Sequence, residues 1–315
     1  MAFGWRVVAA GVMAVAAALA TSFAPARAEA GPAAAPPSAA APAVAVRAPA
    51  TDAAIRPGVL TETAGGGLCT ANFVFTSGER TFLGQAAHCG ATGPATETDG
   101  CTSAVGPLGV PVTIRATDGT RRVATLVYSS WVAMQAGGET DPEICASNDF
   151  ALVELAAADV PDVDPSVPFF GGPTGLDTDG LPVGEEVFGY GSPQPRTGPA
   201  GVAAPVRPKV GLALGDGDGG RTHQVSTTRP GVIGDSGAGF LDSDGSAVGL
   251  LSTITQGSDQ VSDGLADLAA ALGYAEANGG LGEVELVLGT EPFTVTPPGV
   301  PAREVAPPAG PPLSR

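Results

Sequence analysis

The stretch Gly234-Asp235-Ser236-Gly237-Ala238-Gly239 sets one hydroxyl between glycines and next to an acid. Glycine lets a backbone turn tightly and approach a bound molecule closely. A serine hydroxyl is a weak nucleophile at neutral pH and needs a base that takes its proton as it attacks. Imidazole suits that task because its pKa lies near working pH. A carboxylate then has to fix the imidazole tautomer. The oxyanion that develops needs donors already in place, and the backbone N–H groups of Gly234 and Ser236 are candidates for it.

Only two histidines exist, His88 and His223, and both precede Ser236. That excludes the Ser…Asp…His order of an α/β-hydrolase, and Ala238 breaks the glycine pattern of its elbow motif. His88 closes the segment Gln85-Ala86-Ala87-His88-Cys89, and Asp149 sits in Ser147-Asn148-Asp149-Phe150-Ala151-Leu152. The order His88…Asp149…Ser236, with spacings of 61 and 87 residues, is that of chymotrypsin. Each residue alone has an ordinary explanation: a turn serine, a buried structural histidine, a strand-start cap. Asp141, Asp159 and Asp162 compete with Asp149, but only Asp149 precedes an apolar strand in the matching context. His223 follows the run Gly215–Gly220 and reads as a surface or pocket-edge histidine. The Asp216/Asp218 pair lacks the distal glutamate of an EF-hand loop, and no C-x-x-C spacing occurs, so neither a metal nor another cofactor is expected.

The three blocks resemble the signature blocks of trypsin- and chymotrypsin-like serine peptidases, in a pattern closer to their bacterial secreted branch. The resemblance spans roughly residues 58–275. Phe188-Gly189-Tyr190-Gly191 resembles the strand that opens the family's second barrel, and Gly249-Leu250-Leu251-Ser252 the strand beside the substrate. It implies an all-β fold of two antiparallel β-barrels, about 56–165 and 166–290, with the active site in the cleft between them and a short C-terminal helix. It further implies a serine endopeptidase working through an acyl-enzyme, with His88, Asp149 and Ser236 catalytic. Gly234 and Ser236 would form the oxyanion hole. Ser252 would bond Asp149 and line a substrate subsite. Pro230, six residues before Ser236, would floor the first specificity pocket and favour small or medium uncharged side chains. A non-catalytic binding protein on the same fold and an esterase with the same triad are the rival readings. Gln85, Ala238 and Thr253-Ile254 depart from the family pattern, and no Ile-Val-Gly-Gly start is present. Asp235 is therefore expected to pair with an internal cation, Arg196 being the choice.

The rest of the chain fits an exported protein. Arg6, the apolar run Val7–Ala20 and Ala26-Arg27-Ala28 read as a signal peptide over 1–28. Its removal takes Arg6 and Arg27 but no acid, leaving 13 basic against 32 acidic residues, a net charge of −19. Such a chain is expected to be secreted, monomeric and without nucleic-acid or membrane partners, its partner being a protein or peptide substrate. Residues 29–55 read as an Ala/Pro-rich linker or pro-segment and 291–315 as a disordered Pro-rich tail. Four cysteines behind a signal peptide imply disulfides with three possible connectivities. The sequence-near pairs Cys69–Cys89 and Cys101–Cys145 are the choice; the first would clamp the His88 loop, as the family's histidine-loop bridge does. Short apolar or alternating runs predict strands at Ala71–Phe75, Val112–Ala116, Arg122–Tyr128, Phe150–Leu155, Glu186–Tyr190 and Val248–Ile254. A helix is expected near Leu265–Leu272, capped by Ser262 and Asp263 and fading at Asn278-Gly279-Gly280.

Overall fold

Strand 111–115 illustrates how this chain builds sheets: Val112 and Ile114 point into the core while Pro111 and Arg115 face water. That period of two recurs in parts of strands 121–129, 208–217 and 222–227 of a computed structural model that describes residues 48–50, 52–94, 96–193, 196–198, 201–203, 207–256 and 261–295. The expected signal peptide, most of the linker and residues 296–315 of the expected tail lie outside the described residues.

The first half supplies β1 (Leu60–Thr63), β2 (Leu68–Thr70), β3 (Val74–Ser77), β4 (Arg80–Gln85), β5 (Pro111–Arg115), β6 (Arg121–Ser129) and β7 (Ala151–Glu154). The second supplies β8 (Glu186–Tyr190), the hairpin β9 (Arg196–Gly198) and β10 (Gly201–Ala203), β11 (Pro208–Gly217), β12 (Thr222–Thr227), β13 (Gly239–Leu241), β14 (Ala247–Gln256), β15 (Val261–Asp267) and β16 (Glu285–Leu286). Six of these close into an antiparallel barrel in the order β11-β12-β15-β14-β13-β8. The other large sheet has eight strands in the order β16-β3-β4-β7-β6-β5-β1-β2 and is curled but open. Thus the fold is the expected all-β pair of antiparallel layers, with one barrel closed and the other a half-barrel. The last strand crosses back: β16 pairs with β3, so residues 285–286 belong to the first sheet although they follow the second barrel in sequence.

Three helices are short and capped. α1 (Ser130–Gly137) ends at Gly138 in the left-handed conformation. α2 (Pro142–Ser147) begins with a proline and is capped by Asp141, whose carboxylate accepts the Glu143 and Ile144 N–H groups. α3 (Leu268–Asn278) is the expected C-terminal helix, stopped at Gly279, but its cap is Asp267, which accepts from Ala270 N–H. Ser262 and Asp263 are in β15 instead. Residues 261–267 pair with β14 on one side and β12 on the other, and this two-sided ladder overrides the local helical spacing of the leucines.

Both ends of the described chain are tied down further than their composition suggests. Ala53, Ala54 and Ile55, placed in the expected linker, are buried, and Ile55 bridges to Val163. Within the expected tail, Phe293 stacks edge-on against Phe188 at 5.5 Å and Thr294 N–H donates to the Phe170 carbonyl. Apolar burial outweighs the turn-forming prolines there.

His223 is fully buried, not at the surface. Its Nδ1 lies 2.7 Å from Asp216 on β11 and its Nε2 3.0 Å from Asp267, the cap of α3. Two carboxylate acceptors require an N–H on each ring nitrogen, which is the imidazolium. Burial alone would push its pKa down; the bonds to Asp267 and Asp216 and their charges outweigh burial and raise it. A pKa raised on folding means the folded protein holds that proton more tightly. The resulting stability is fully present below the ordinary value of 6.5 and is lost as pH rises through the higher folded value. His223→Gln should therefore cost about 3 kcal/mol near pH 6 and clearly less near pH 9. Urea unfolding of both proteins across that range checks it; a penalty that grows with pH would contradict the assignment.

Candidate active site

One cleft of about 660 Å³ opens between the two sheets and is lined by His88, Asp149, Ser236, Gly234 and Ser252. Pro230 is not on its lining. The next residue, Gly231, donates its N–H to the buried Asp263 carboxylate at 2.7 Å, so the chain reaches the cleft only from Val232 onward.

Each of these side chains is delivered by an element end. His88 lies on a 3-10 turn, Ala87–Gly90, that follows β4. Asp149 sits between α2 and β7. Ser236 follows the turn that precedes β13. Disulfides pin two of these approaches: Cys69–Cys89 anchors the residue after His88 to β2, and Cys101–Cys145 anchors α2 just before Asp149. All four cysteines are paired. Ser130, which the sequence did not flag, grips the backbone on both sides of Asp149. Its hydroxyl donates to the Asn148 carbonyl at 2.8 Å and accepts from Phe150 N–H at 3.1 Å.

Asp149 is nearly buried and takes three donors. His88 N–H reaches Oδ1 at 2.8 Å, while His88 Nδ1 and Ser252 Oγ reach Oδ2, each at 2.7 Å. The bond at Nδ1 places the ring proton there, leaving Nε2 bare and able to accept. Burial works to lower the His88 pKa, but the Asp149 charge and bond prevail and raise it above the ordinary 6.5. Trp131 of α1, also missed by the sequence reading, stands 6.5 Å from the His88 ring and walls the cleft. Ser236 Oγ and His88 Nε2 share the cleft without a hydrogen bond to one another. Such contacts are commonly loose before a substrate is present.

The loop bearing Ser236 is fixed by an alternation of tied and free peptide groups. Thr70 of β2 donates its hydroxyl to the Gly234 carbonyl at 2.5 Å and its N–H to the Ser236 carbonyl at 2.7 Å. On the same two peptides, Asp235 N–H donates to the Val232 carbonyl and Gly237 N–H to the Leu251 carbonyl. The N–H groups of Ser236, between these two peptides, and of Gly234, just before them, find no acceptor among the described residues and belong to residues lining the cleft. Gly237 has φ +84°, and a methyl group on it would lie 2.7 Å from the Thr70 carbonyl oxygen, so only glycine lets the loop pack this closely on β2.

Asp235 is held from inside by a lysine. Lys209 of β11, itself buried, brings Nζ to 2.9 Å from Asp235 Oδ2 and also donates to the Arg229 carbonyl at 3.1 Å. An internal cation was expected, and Lys209 is one; the side chain of Arg196, the expected choice, lies outside the described ones. Strand β11 pairs with β8 and carries Lys209 next to Gly191, which borders Asp235. Burial pushes the Asp235 carboxyl up, and Lys209 offsets part of that. Gln85, a departure from the family pattern, is fully buried and donates to Thr63 Oγ1 at 3.0 Å, tying β4 to β1 beneath the His88 turn.

No family model and no curated protein matches the chain. Solved structures do. The chain is similar to protease A of Thermobifida fusca at 18% identity and a TM-score of 0.45, over 75% of this chain and 100% of that one. It is similar to the Nocardiopsis protease at 18% identity and a TM-score of 0.41, over 74% and 98% of the two chains. A chymotrypsin of Cellulomonas bogoriensis is similar at 14% identity and a TM-score of 0.43, over 74% and 99%.

Proposed function

We propose that this protein is an exported serine endopeptidase in which Ser236 is the nucleophile, His88 the general base and acid, and Asp149 the group that orients His88. The observation that carries the reading is the Asp149 carboxylate, which holds the His88 proton on Nδ1 and so frees Nε2 within the cleft that Ser236 lines. Ser236 Oγ attacks the carbonyl carbon of a peptide while its proton passes to Nε2. The carbonyl oxygen becomes an oxyanion and takes the unused N–H groups of Gly234 and Ser236. His88 then gives the proton to the leaving amine as the C–N bond breaks. Water, deprotonated by His88, attacks the acyl-enzyme, and Ser236 regains its proton.

Two experiments test this. A fluorophosphonate probe should label the purified protein at one site, and peptide mapping should find the adduct on Ser236. Ser236→Ala should abolish labelling and peptide hydrolysis while leaving the thermal transition in place, and His88→Ala should lower hydrolysis by about three to four orders of magnitude. Labelling that persists in Ser236→Ala would remove Ser236 as the nucleophile.

The Thr70 contacts support a positioning role for that side chain. Thr70→Val deletes the hydroxyl that holds the Gly234 carbonyl, and should lower kcat about tenfold or more with little change in KM, because the oxyanion donors lose alignment but not the substrate its cleft. Thr70→Ser keeps the hydroxyl and should restore most of kcat. Equal losses in Val and Ser variants would show that packing of the Thr70 methyl, not its hydrogen bond, is what matters.

A further inference from the structure

Beside Ser236 the cleft has two walls. One is the segment Val232–Gly234, and the other is β14 from Leu251 to Ile254. A substrate side chain attached beside the Ser236-bound carbonyl would enter between them. What lies at the end of that path is fixed by Gly231, where both walls converge. A methyl group placed on Gly231 would stand 2.7 Å from Leu251 Cδ2, 3.1 Å from Asp263 Oδ1 and 3.4 Å from Ile254 Cδ1. Asp263 is therefore behind the walls. It faces Ile254 across the β14–β15 ladder and Val225 across the β12–β15 ladder, so all three project to the same face of the sheet.

Asp263 is fully buried, and its two oxygens are engaged by neutral donors only: Thr227 Oγ1 and Gly231 N–H, each at 2.7 Å. Among the described residues no cation pairs with it, since Lys209 is committed to Asp235. The side chains in front of it are aliphatic. Leu251 is 2% exposed and fills the inner space, while Ile254 is 40% exposed and stands at the mouth.

We infer that Ile254 sets the substrate class of this cleft: it limits the cleavage site to short uncharged side chains such as alanine and valine, and it screens a buried carboxylate, Asp263, that would otherwise bind lysine or arginine. The inference rests on the reading of Ser236 as nucleophile. A long side chain would have to displace Ile254 and Leu251 before reaching Asp263, and an uncharged long one would set apolar atoms against a buried carboxylate. A short side chain meets only the aliphatic surface. Removing the Ile254 side chain opens a path along which an ammonium or guanidinium group gains a carboxylate partner in a water-poor site.

The test uses the purified full chain and one peptide sequence carrying Ala, Val, Phe, Lys or Arg at the cleavage position. Active enzyme is first counted with the fluorophosphonate. The parent protein should cut after Ala and Val at least about tenfold faster, in kcat/KM, than after Phe, Lys or Arg. Ile254→Gly should raise the Lys-to-Ala ratio at least about tenfold, and adding Asp263→Asn should abolish that gain. Ile254→Ala gives a milder opening should the glycine variant fold poorly. Parent cleavage after Lys or Phe as fast as after Ala would overturn the screening role, and a gain that survives Asp263→Asn would overturn the role of the carboxylate. A protein that takes no fluorophosphonate at Ser236 would instead bring down the peptidase reading itself, and this inference with it.

Discussion

A single carboxylate, taken almost entirely out of water, joins the parts of this site. Asp149 belongs to the first sheet's half of the chain, and it accepts from His88, also in that half, and from Ser252 on the second barrel. A buried carboxylate is costly unless its oxygens are hydrogen-bonded. Three donors meet that need, and in doing so they fix the His88 ring, its tautomer and the relation between the two sheets. Neighbouring features serve this arrangement. Ser130 fixes the backbone on either side of Asp149, and the two disulfides restrain the segments that enter it.

The second half of the site follows a similar logic through the main chain. Thr70 on β2 holds the Gly234 and Ser236 carbonyls of the Ser236 loop, and the N–H groups of those same two residues are left without an acceptor among the described residues. Lys209 secures the same loop from below through Asp235. The loop is thereby held from opposite sides by partners inside the folded chain. Charge is distributed sparingly in this region. Two buried acids, Asp235 and Asp263, share one end of the barrel with one buried lysine, and only Asp235 receives it.

The residues legible in the sequence were those whose chemistry fixes a short contiguous pattern. The blocks around His88, Asp149 and Ser236 could be read because each sets its own local backbone, and five strands could be read from short apolar runs, while Ala71–Phe75 meets β3 only at Val74 and Phe75. What escaped is what depends on distant pairing. Thr70 lies 164 residues from the carbonyl it holds. Lys209 reaches Asp235 because β11 lies beside β8, which no local pattern encodes. His223 was read as exposed because its two acids sit 7 and 44 residues away, one in a glycine run that suggests a surface loop. Ser262 and Asp263 read locally as a helix cap, but the ladders to β12 and β14 hold them in β15 and move the helix start to Asp267. Pro230 was placed by counting along the chain, whereas the turn made by Gly231 toward Asp263 decides which residues meet the cleft.

The pH dependence of fluorophosphonate attachment to Ser236 tests the central arrangement most directly, since it reads the nucleophile through its base without requiring a known substrate. The account predicts a rate that rises with pH as one group loses its proton, with a midpoint above the ordinary imidazole value of 6.5 and lowered in Asp149→Asn. A rate that is flat across this range, or a midpoint indifferent to Asp149, would contradict it.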